Sequence, residues 1–150
     1  MKKKIYLLMV SFLVVASLIS SVSAFGVSRP YLEKGMLIVQ PGQTMDFDYT
    51  LQNMLGDSDL LVTASLTNGS EIAQITDQTT SYLVKKGTAN TVVNLRLRVP
   101  SDAVIGTVQK VTITFTATVS GAGQGVKMGT AVEENIDVVV GKIVEKGIET

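Results

Sequence analysis

The chain contains no cysteine, no histidine and no tryptophan, and only three of its 150 residues are proline. Without cysteine, the protein has no disulfide bonds, no thiolate metal sites and no lipidated N-terminal cysteine. Without histidine, it lacks the commonest general base and metal ligand, so a Ser-His-Asp triad is excluded. The absence of tryptophan removes the largest aromatic ring that a sugar-binding surface can offer. The fold must therefore be stable without disulfide bonds, and few routes to catalysis remain.

The first 24 residues have the pattern of an export signal. Three lysines at positions 2–4 precede an apolar run over 5–22, and small residues then lead to Ala24. This order is typical of a secretory signal peptide that is cleaved between Ala24 and Phe25. The alternative is an uncleaved membrane anchor, because a run of 18 residues lies at the short end of what spans a bilayer. We expect an exported protein, extracellular or on the cell surface, whose mature form begins at Phe25.

Removal of the signal changes the charge balance. Three of the 13 basic residues and none of the 13 acidic residues lie in it, so ten basic and 13 acidic residues remain, a net charge of −3. No basic stripe remains, and a nucleic-acid partner is not expected. A membrane contact is expected only through an uncleaved signal. The remaining chain, about 126 residues, suffices for one domain, which we place at 25–141, followed by a C-terminal tail at 142–150.

Apolar and polar residues alternate along most of the chain after Phe25. The period of two is clearest in five segments, which are 43–53, 60–66, 93–99, 111–119 and 136–140. Such alternation puts the apolar side chains on one face of a β-strand. Weaker strand signals lie at 36–39, 71–76 and 82–85, and turn residues such as Pro41-Gly42 and Asn68-Gly69 separate the runs. The pattern predicts an all-β, antiparallel sandwich of seven to nine strands, with a small closed barrel as the alternative.

Three segments carry a resemblance to a known family. VQPGQTMDFDYTLQN has a Pro-Gly turn and an alternating strand that ends at Asn53. VKKGTANTVVNLRLRVP has a polar turn and a strand that stops at Pro100, and PSDAVIGTVQKVTITFTATV adds a short turn and another long strand. Together they resemble the Ig-like domains of extracellular bacterial and archaeal proteins, including the NPCBM-associated type. The resemblance covers about 37–119 and implies an Ig-like or fibronectin-like sandwich that acts as a spacer, interaction or assembly module.

The parity of the strands predicts which side chains face inward. The apolar residues expected between the two sheets are Phe47, Tyr49, Leu95, Leu97, Ile113, Phe115 and Val138. The Ig-like order makes the strand at 43–53 a neighbour of the strand that ends at Pro100. Outward charges are then expected to meet, with Asp46 and Asp48 on the first strand and Arg96 and Arg98 on the second.

The sequence offers few candidates for catalysis or metal binding. Glu133 and Glu134 are adjacent, so on a strand they point to opposite faces and cannot act together on one substrate. The loop Asp57-Ser58-Asp59 contains oxygen ligands for calcium but lacks the EF-hand pattern, and a structural turn is the favoured interpretation. The segment 121–125 is rich in glycine but lacks the spacing of a phosphate-binding loop. We expect no enzyme activity, no cofactor and no metal site.

Candidate surface residues are equally few. Tyr31 and Tyr82 are the two aromatic rings expected to be exposed for ligand contact. The row of threonines over 112–118 offers a hydroxylated face, although threonine is also simply common in strands. Asn68 begins an Asn-Gly-Ser sequon in a turn, a glycosylation site if the host has the machinery.

These observations favour a non-enzymatic structural or protein-interaction module that contacts a protein or another cell-surface component. One alternative is an accessory protein that binds carbohydrate or cell wall, and another is a filament subunit that exchanges strands. The segment 25–32 bears on the filament alternative. Its residues have the spacing expected of an edge strand, and the strand near 134–140 is its expected neighbour. Pro30 removes a ladder donor there, which favours pairing within the same domain.

Overall fold

The computed structural model describes residues 25–121 and 129–142, which form nine β-strands and a 3-10 turn at Glu33–Gly35. In chain order the strands are β1 (Gly26–Ser28), β2 (Met36–Val39), β3 (Thr44–Gln52), β4 (Leu60–Asn68), β5 (Ala73–Ile75), β6 (Ser81–Val84), β7 (Thr91–Arg98), β8 (Val108–Val119) and β9 (Thr130–Val140). The predicted all-β sandwich is confirmed. The predicted signal segment 1–24 and all of the tail beyond Lys142 lie outside the described residues.

The strands form two sheets that pack face to face. The four-stranded sheet has the order β1-β3-β7-β5, and the five-stranded sheet has the order β2-β9-β8-β4-β6. Among the described residues, six strand pairs are antiparallel and one, β2 with β9, is parallel. The expectation of purely antiparallel pairing is therefore wrong for β2. A period of two shows which face of a strand is buried but not the direction of its neighbour.

The N-terminal segment contributes a strand to each sheet. β1 pairs with β3, so the expectation that the segment 25–32 lies beside the final strand is wrong. The chain then crosses between the sheets through the 3-10 turn, where Lys34 has a left-handed backbone with φ of 54°. After this turn β2 lies beside β9, with Ile38 opposite Val139. The first two strands thus cover the edges of β3 and β9.

The core lies between the sheets and has the predicted parity. All seven residues expected to face inward are buried, with Tyr49, Leu97, Ile113, Phe115 and Val138 fully so. The ring of Tyr49 packs edge-to-face against both Phe47 and Phe115, with ring centroids 5.3 Å apart in each pair. Such offset aromatic contacts add stability beyond the area they bury. The alternation read from the sequence therefore identifies the inner face of these strands correctly.

Two glycines show why the predicted turns occur where they do. Gly42 and Gly69 have φ values of 79° and 80°, a region that L-residues with side chains rarely adopt. A Cβ atom at Gly69 would also lie 2.8 Å from the side chain of Val111. These positions explain the Pro-Gly and Asn-Gly signals that bound β3 and β4.

Candidate functional site

The outer faces of the two sheets differ in chemistry. On the four-stranded sheet the outward positions of β3 and β7 carry charges, which are Asp46, Asp48, Arg96 and Arg98. On the five-stranded sheet the outward positions of β8 are mostly hydroxyl-bearing, which are Thr112, Thr114, Thr116 and Thr118. Charged groups are costly to remove from water, whereas threonine and apolar groups are less so. The outer face of the five-stranded sheet is therefore the better candidate for contact with a partner.

One end of that face carries an apolar row across three strands. Ile38 of β2 lies opposite Val139 of β9, and Val139 lies opposite Val108 of β8. Ile38 is 53% exposed and Val108 is 58% exposed, while Val139 is half-buried between them. We refer to Ile38, Val139 and Val108 as the apolar row. Next to it lie the exposed Met36 and two residues of opposite charge, Asp137 and Lys110, which are opposite each other in the register of β8 and β9.

Local backbone geometry keeps the apolar row accessible. Gly141 follows Val139 on the same side of β9, and a Cβ atom there would lie 3.0 Å from the side chain of Ile38. The glycine thus leaves room for the isoleucine beside it. The 3-10 turn bounds a shallow depression at this end, lined by Glu33, Lys34, Met36, Ile38 and Val139. An apolar floor with charged groups at its rim is typical of a protein-contact surface.

Three of the four threonine side chains in the row on β8 are hydrogen-bonded to other groups of the same sheet. Thr112 donates to Asn135 at 2.8 Å, Thr114 lies 3.3 Å from the hydroxyl of Thr67, and Thr118 donates to the carbonyl of Leu61 at 3.3 Å. Hydroxyls already paired in this way offer less to a sugar than free ones. These hydrogen bonds stabilise the sheet and leave fewer hydroxyl groups available to bind carbohydrate.

The predicted exposed aromatic pair is not present. Tyr31 is 89% exposed, as expected, but Tyr82 is only 8% exposed, so the expectation for Tyr82 is wrong. The ring of Tyr82 points into the core because its strand, β6, has its inward parity at 82 and 84. Its hydroxyl donates to Asp77 Oδ2 at 2.8 Å. A sugar platform built from these two rings is thus not formed.

Asp77 is the centre of a polar network between the two sheets. Besides Tyr82 of β6, it accepts hydrogen bonds from Asn94 of β7, at 2.8 Å from the backbone N–H and at 2.6 Å from the side-chain amide. Desolvation acts to raise the pKa of Asp77, but the bonds from Asn94 and Tyr82 outweigh it and lower the pKa. The pKa of Tyr82 is raised, first by burial and then by its bond to the carboxylate.

A second inter-sheet contact joins the segment after β1 to β9. Arg29 Nε lies 3.0 Å from a carboxylate oxygen of Glu134, and both side chains are mostly shielded from solvent. Tyr49 is fully buried, and burial raises the pKa of its hydroxyl; the positive charge of Arg29 opposes this shift and Glu134 reinforces it. Glu133, on the other face of β9, is exposed. The sheet therefore separates the two adjacent glutamates, as their parity predicts.

The remaining predicted positions are Asn68, the loop 57–59 and the predicted cleavage site. Asn68 is exposed at the end of β4, where its glycosylation stays a prediction. In the loop 57–59, interpreted from the sequence as a structural turn, Asp59 accepts the backbone N–H of Lys86 at 2.9 Å, and the carbonyl of Ser58 accepts the amide of Asn53. Within the described ranges, no group of three acidic, histidine or cysteine residues is arranged for a metal ion. Phe25 packs against the core, and Ala24 lies outside the described residues.

The sequence analysis did not identify Asn53, Asp77 or the apolar row as important. Asn53 is fully buried and donates to the carbonyls of Ser58 and Val84, and its only signal was a polar residue at the end of an apolar run. Asp77 gave no signal, because its partners are distant in sequence. The apolar row gave none either, since its members belong to three strands whose pairing was unknown.

No helix in the described part of the chain is long and apolar enough to cross a membrane.

The sequence matches no family model and no curated protein. Several solved structures resemble its fold at low identity. AggA, the major subunit of aggregative adherence fimbriae type I of Escherichia coli, is 9% identical with a TM-score of 0.44, over 78% of this chain and 94% of AggA. Murine CRIg is 12% identical with a TM-score of 0.44, over 79% of this chain and 99% of CRIg.

A third solved structure is Spo0M, a sporulation control protein of Bacillus subtilis. It is 15% identical with a TM-score of 0.39, over 79% of this chain and 51% of Spo0M. The Ig-like fold class therefore rests on the strand order and register themselves. None of the comparisons identifies the NPCBM-associated type, so that finer resemblance stays a prediction.

Proposed function

We propose that this protein is a non-enzymatic interaction module of the cell surface or extracellular space, and that it contacts its partner through the outer face of the five-stranded sheet. The observation that carries the proposal is the apolar row, in which Ile38, Val139 and Val108 lie side by side at one end of this face. Exposed apolar residues that cluster across strands, rather than singly, are the mark of a contact surface.

The chemistry of the rest of the molecule supports an interaction role. The outer face of the four-stranded sheet is charged and carries the Asp46–Arg96 ion pair, which keeps that face hydrated. The two adjacent glutamates are separated by the sheet. In the loop 57–59, the carbonyl of Ser58 and Oδ1 of Asp59 already accept hydrogen bonds from Asn53 and Lys86. The N-terminal charge pattern supports export, the step that would bring the apolar row to the cell exterior.

The first test of this function concerns location. We expect the native host to export the protein expressed from its full coding sequence, with an intact mass that begins at Phe25. Biotinylation of intact cells with a membrane-impermeant reagent should label it. A protein that keeps residues 1–24 and stays unlabelled until the cells are lysed would contradict the proposal.

The second test concerns the surface, with two matched variants. Val108→Lys places a charge in the apolar row, and Val92→Lys places the same charge on the outer face of the four-stranded sheet, where Val92 is 43% exposed. Both side chains point to solvent, so neither substitution should unfold the protein. We expect Val108→Lys to weaken binding of the purified protein to intact host cells about tenfold, the loss of one contact hot spot. Equal losses in both variants would show that this face is not the contact surface.

A further inference from the structure

The four edge strands of the sandwich are not equally protected. β1 and β5 have three residues each, and Pro30 follows closely after β1. β6 is followed directly by Lys85 and Lys86, and lysine at an edge discourages pairing with another chain. β2 has the sequence Met-Leu-Ile-Val, with no charge and no proline. Lys34 is separated from β2 by Gly35, whereas Lys85 adjoins β6, so β2 is the more open of the two longer described edges.

The backbone of β2 leaves a short window open at its centre. The carbonyl of Val39 accepts the N–H of Gly141 at 3.0 Å, so Val39 turns its polar groups towards β9. Because these groups alternate in direction along a strand, the N–H and C=O of Ile38 point to the free edge. The neighbouring donors are already used, since Met36 N–H bonds to the carbonyl of Glu33 and Gln40 N–H bonds to Oε1 of Gln43 at 2.9 Å.

We propose that β2 pairs antiparallel with β2 of a second copy of this chain, so that two five-stranded sheets join into one continuous sheet. The proposal rests on the proposed function only in using the same outer face. Around a twofold axis, Ile38 lies opposite Ile38 of the second copy, and the two residues exchange both of their free backbone hydrogen bonds. Such a pairing is self-complementary, as an isologous contact requires.

The apolar row explains why the second strand comes from a copy rather than from an unrelated chain. Directly opposite residues of an antiparallel pair point to the same face. With Ile38 at the axis, the row Val108–Val139–Ile38 of one copy therefore continues into the same row of the other in reverse order. The seam places apolar side chains against apolar side chains, and β2 brings no like charges together. The contact covers few residues, so we expect a dimer that dissociates on dilution.

The first experiment measures mass by sedimentation equilibrium over a range of concentrations, with the protein expressed from its full coding sequence. Wild type should approach the mass of a dimer as concentration rises. Ile38→Lys should raise the dissociation constant at least about tenfold, because it puts two ammonium groups at the axis. Leu83→Lys is the matched control, because Leu83 is 50% exposed on the outer face of the opposite edge strand, β6, and it should behave as wild type.

The second experiment uses the natural absence of cysteine. Hydrogen-bonded antiparallel partners have Cα atoms about 5.5 Å apart, within the range that a disulfide spans. Ile38→Cys should therefore form a disulfide-linked dimer under mild oxidation faster than Leu83→Cys, and its circular dichroism should remain that of a β protein.

The outcomes separate this inference from the proposed function. A protein that is labelled on intact cells but stays monomeric, with equal oxidation rates for both cysteine variants, would overturn the dimer and leave the surface role standing. Species larger than a dimer would overturn it too, because β2 would then pair with a different edge and chains would grow head to tail. A dimer formed by a protein that is never exported would overturn the surface role alone.

Discussion

At the scale of single residues, the core depends on the cluster of Phe47, Tyr49 and Phe115. Each ring occupies the inward parity of its strand, and the cluster joins β3 of one sheet to β8 of the other. The sequence was sufficient to find these residues, because alternation alone identifies the buried face of a strand. It was not sufficient to find Tyr82 on the buried side, since the weak signal at 82–85 left the parity of β6 open.

Replacement of Phe115 should have a large effect on stability. Phe115 is fully buried, so Phe115→Ala removes its burial energy and leaves a cavity between the sheets. We expect the free energy of unfolding to fall by about 3–5 kcal/mol, measured by chemical denaturation. Thr116→Ala is the matched control, because Thr116 is the next residue on β8 and is exposed. An unchanged midpoint for Phe115→Ala would mean that β8 faces the other way.

At the scale of elements, pairing and register decide which side chains meet. β3 and β7 are neighbours, as the Ig-like order predicted, and Asp46 lies opposite Arg96. Two hydrogen bonds join this pair, at 2.7 Å from Nε and 3.0 Å from a terminal guanidinium nitrogen. The register places Asp48 opposite Asn94 and Arg98 opposite Thr44, so the predicted meeting of charges is confirmed for Asp46 with Arg96 and is wrong for the other two residues.

This difference gives a prediction for two double-mutant cycles. Asp46→Ala and Arg96→Ala should show a small favourable coupling in unfolding free energy, since the side-chain bond to Arg96 also lowers the pKa of Asp46. Both side chains are exposed, so added salt should weaken the coupling. The cycle of Asp48→Ala and Arg98→Ala should show none. Equal coupling in both cycles would indicate a general charge effect rather than a specific pair.

Strand direction and edge position were beyond the reach of the sequence. The pattern at 36–39 indicated a strand correctly, yet nothing in four apolar residues shows that it runs parallel to β9. β1 was expected beside the last strand and lies instead beside β3. The apolar row follows from these pairings, because Ile38 becomes the neighbour of Val139 only when β2 takes this place. Local patterns thus predicted the elements, while contacts between distant segments determined the candidate surface.

At the scale of the whole molecule, the two sheets are joined by polar contacts as well as by the core. Arg29 and Glu134 connect the segment after β1 to β9. Asp77 connects β6 to β7 through Tyr82 and Asn94. These contacts lie where the sheets have short edge strands. They connect the two sheets of a protein that has no disulfide bonds.

The Asp77 network predicts how stability depends on pH. The pKa of Asp77 is lower in the folded protein than its ordinary value of 3.8, because hydrogen bonds to the carboxylate outweigh desolvation. Its contribution is therefore present above the pKa of the unfolded chain and is lost as pH falls through the folded pKa. We expect Asp77→Asn to lower the unfolding midpoint most at neutral pH, with a difference from wild type that shrinks below about pH 4.

The matched control is Asp48→Asn, because no side-chain hydrogen bond or ion pair of Asp48 is found in the described part of the chain. Its unfolding midpoint at neutral pH should stay close to that of wild type. A difference for Asp77→Asn that grows as the solution is acidified would show that burial, and not hydrogen bonding, dominates at this carboxylate.

The parallel pairing of β2 and β9 also determines how the domain carries tension. A pull on the chain before β2 and on the chain after β9 drives these two neighbours in opposite directions along their own length. The four paired positions, Met36–Val39 against Asp137–Val140, are then loaded together in shear. An antiparallel pair pulled from one end would instead lose its hydrogen bonds one after another. This shear geometry lies beside the apolar row, because Ile38 and Val139 belong to the same two strands.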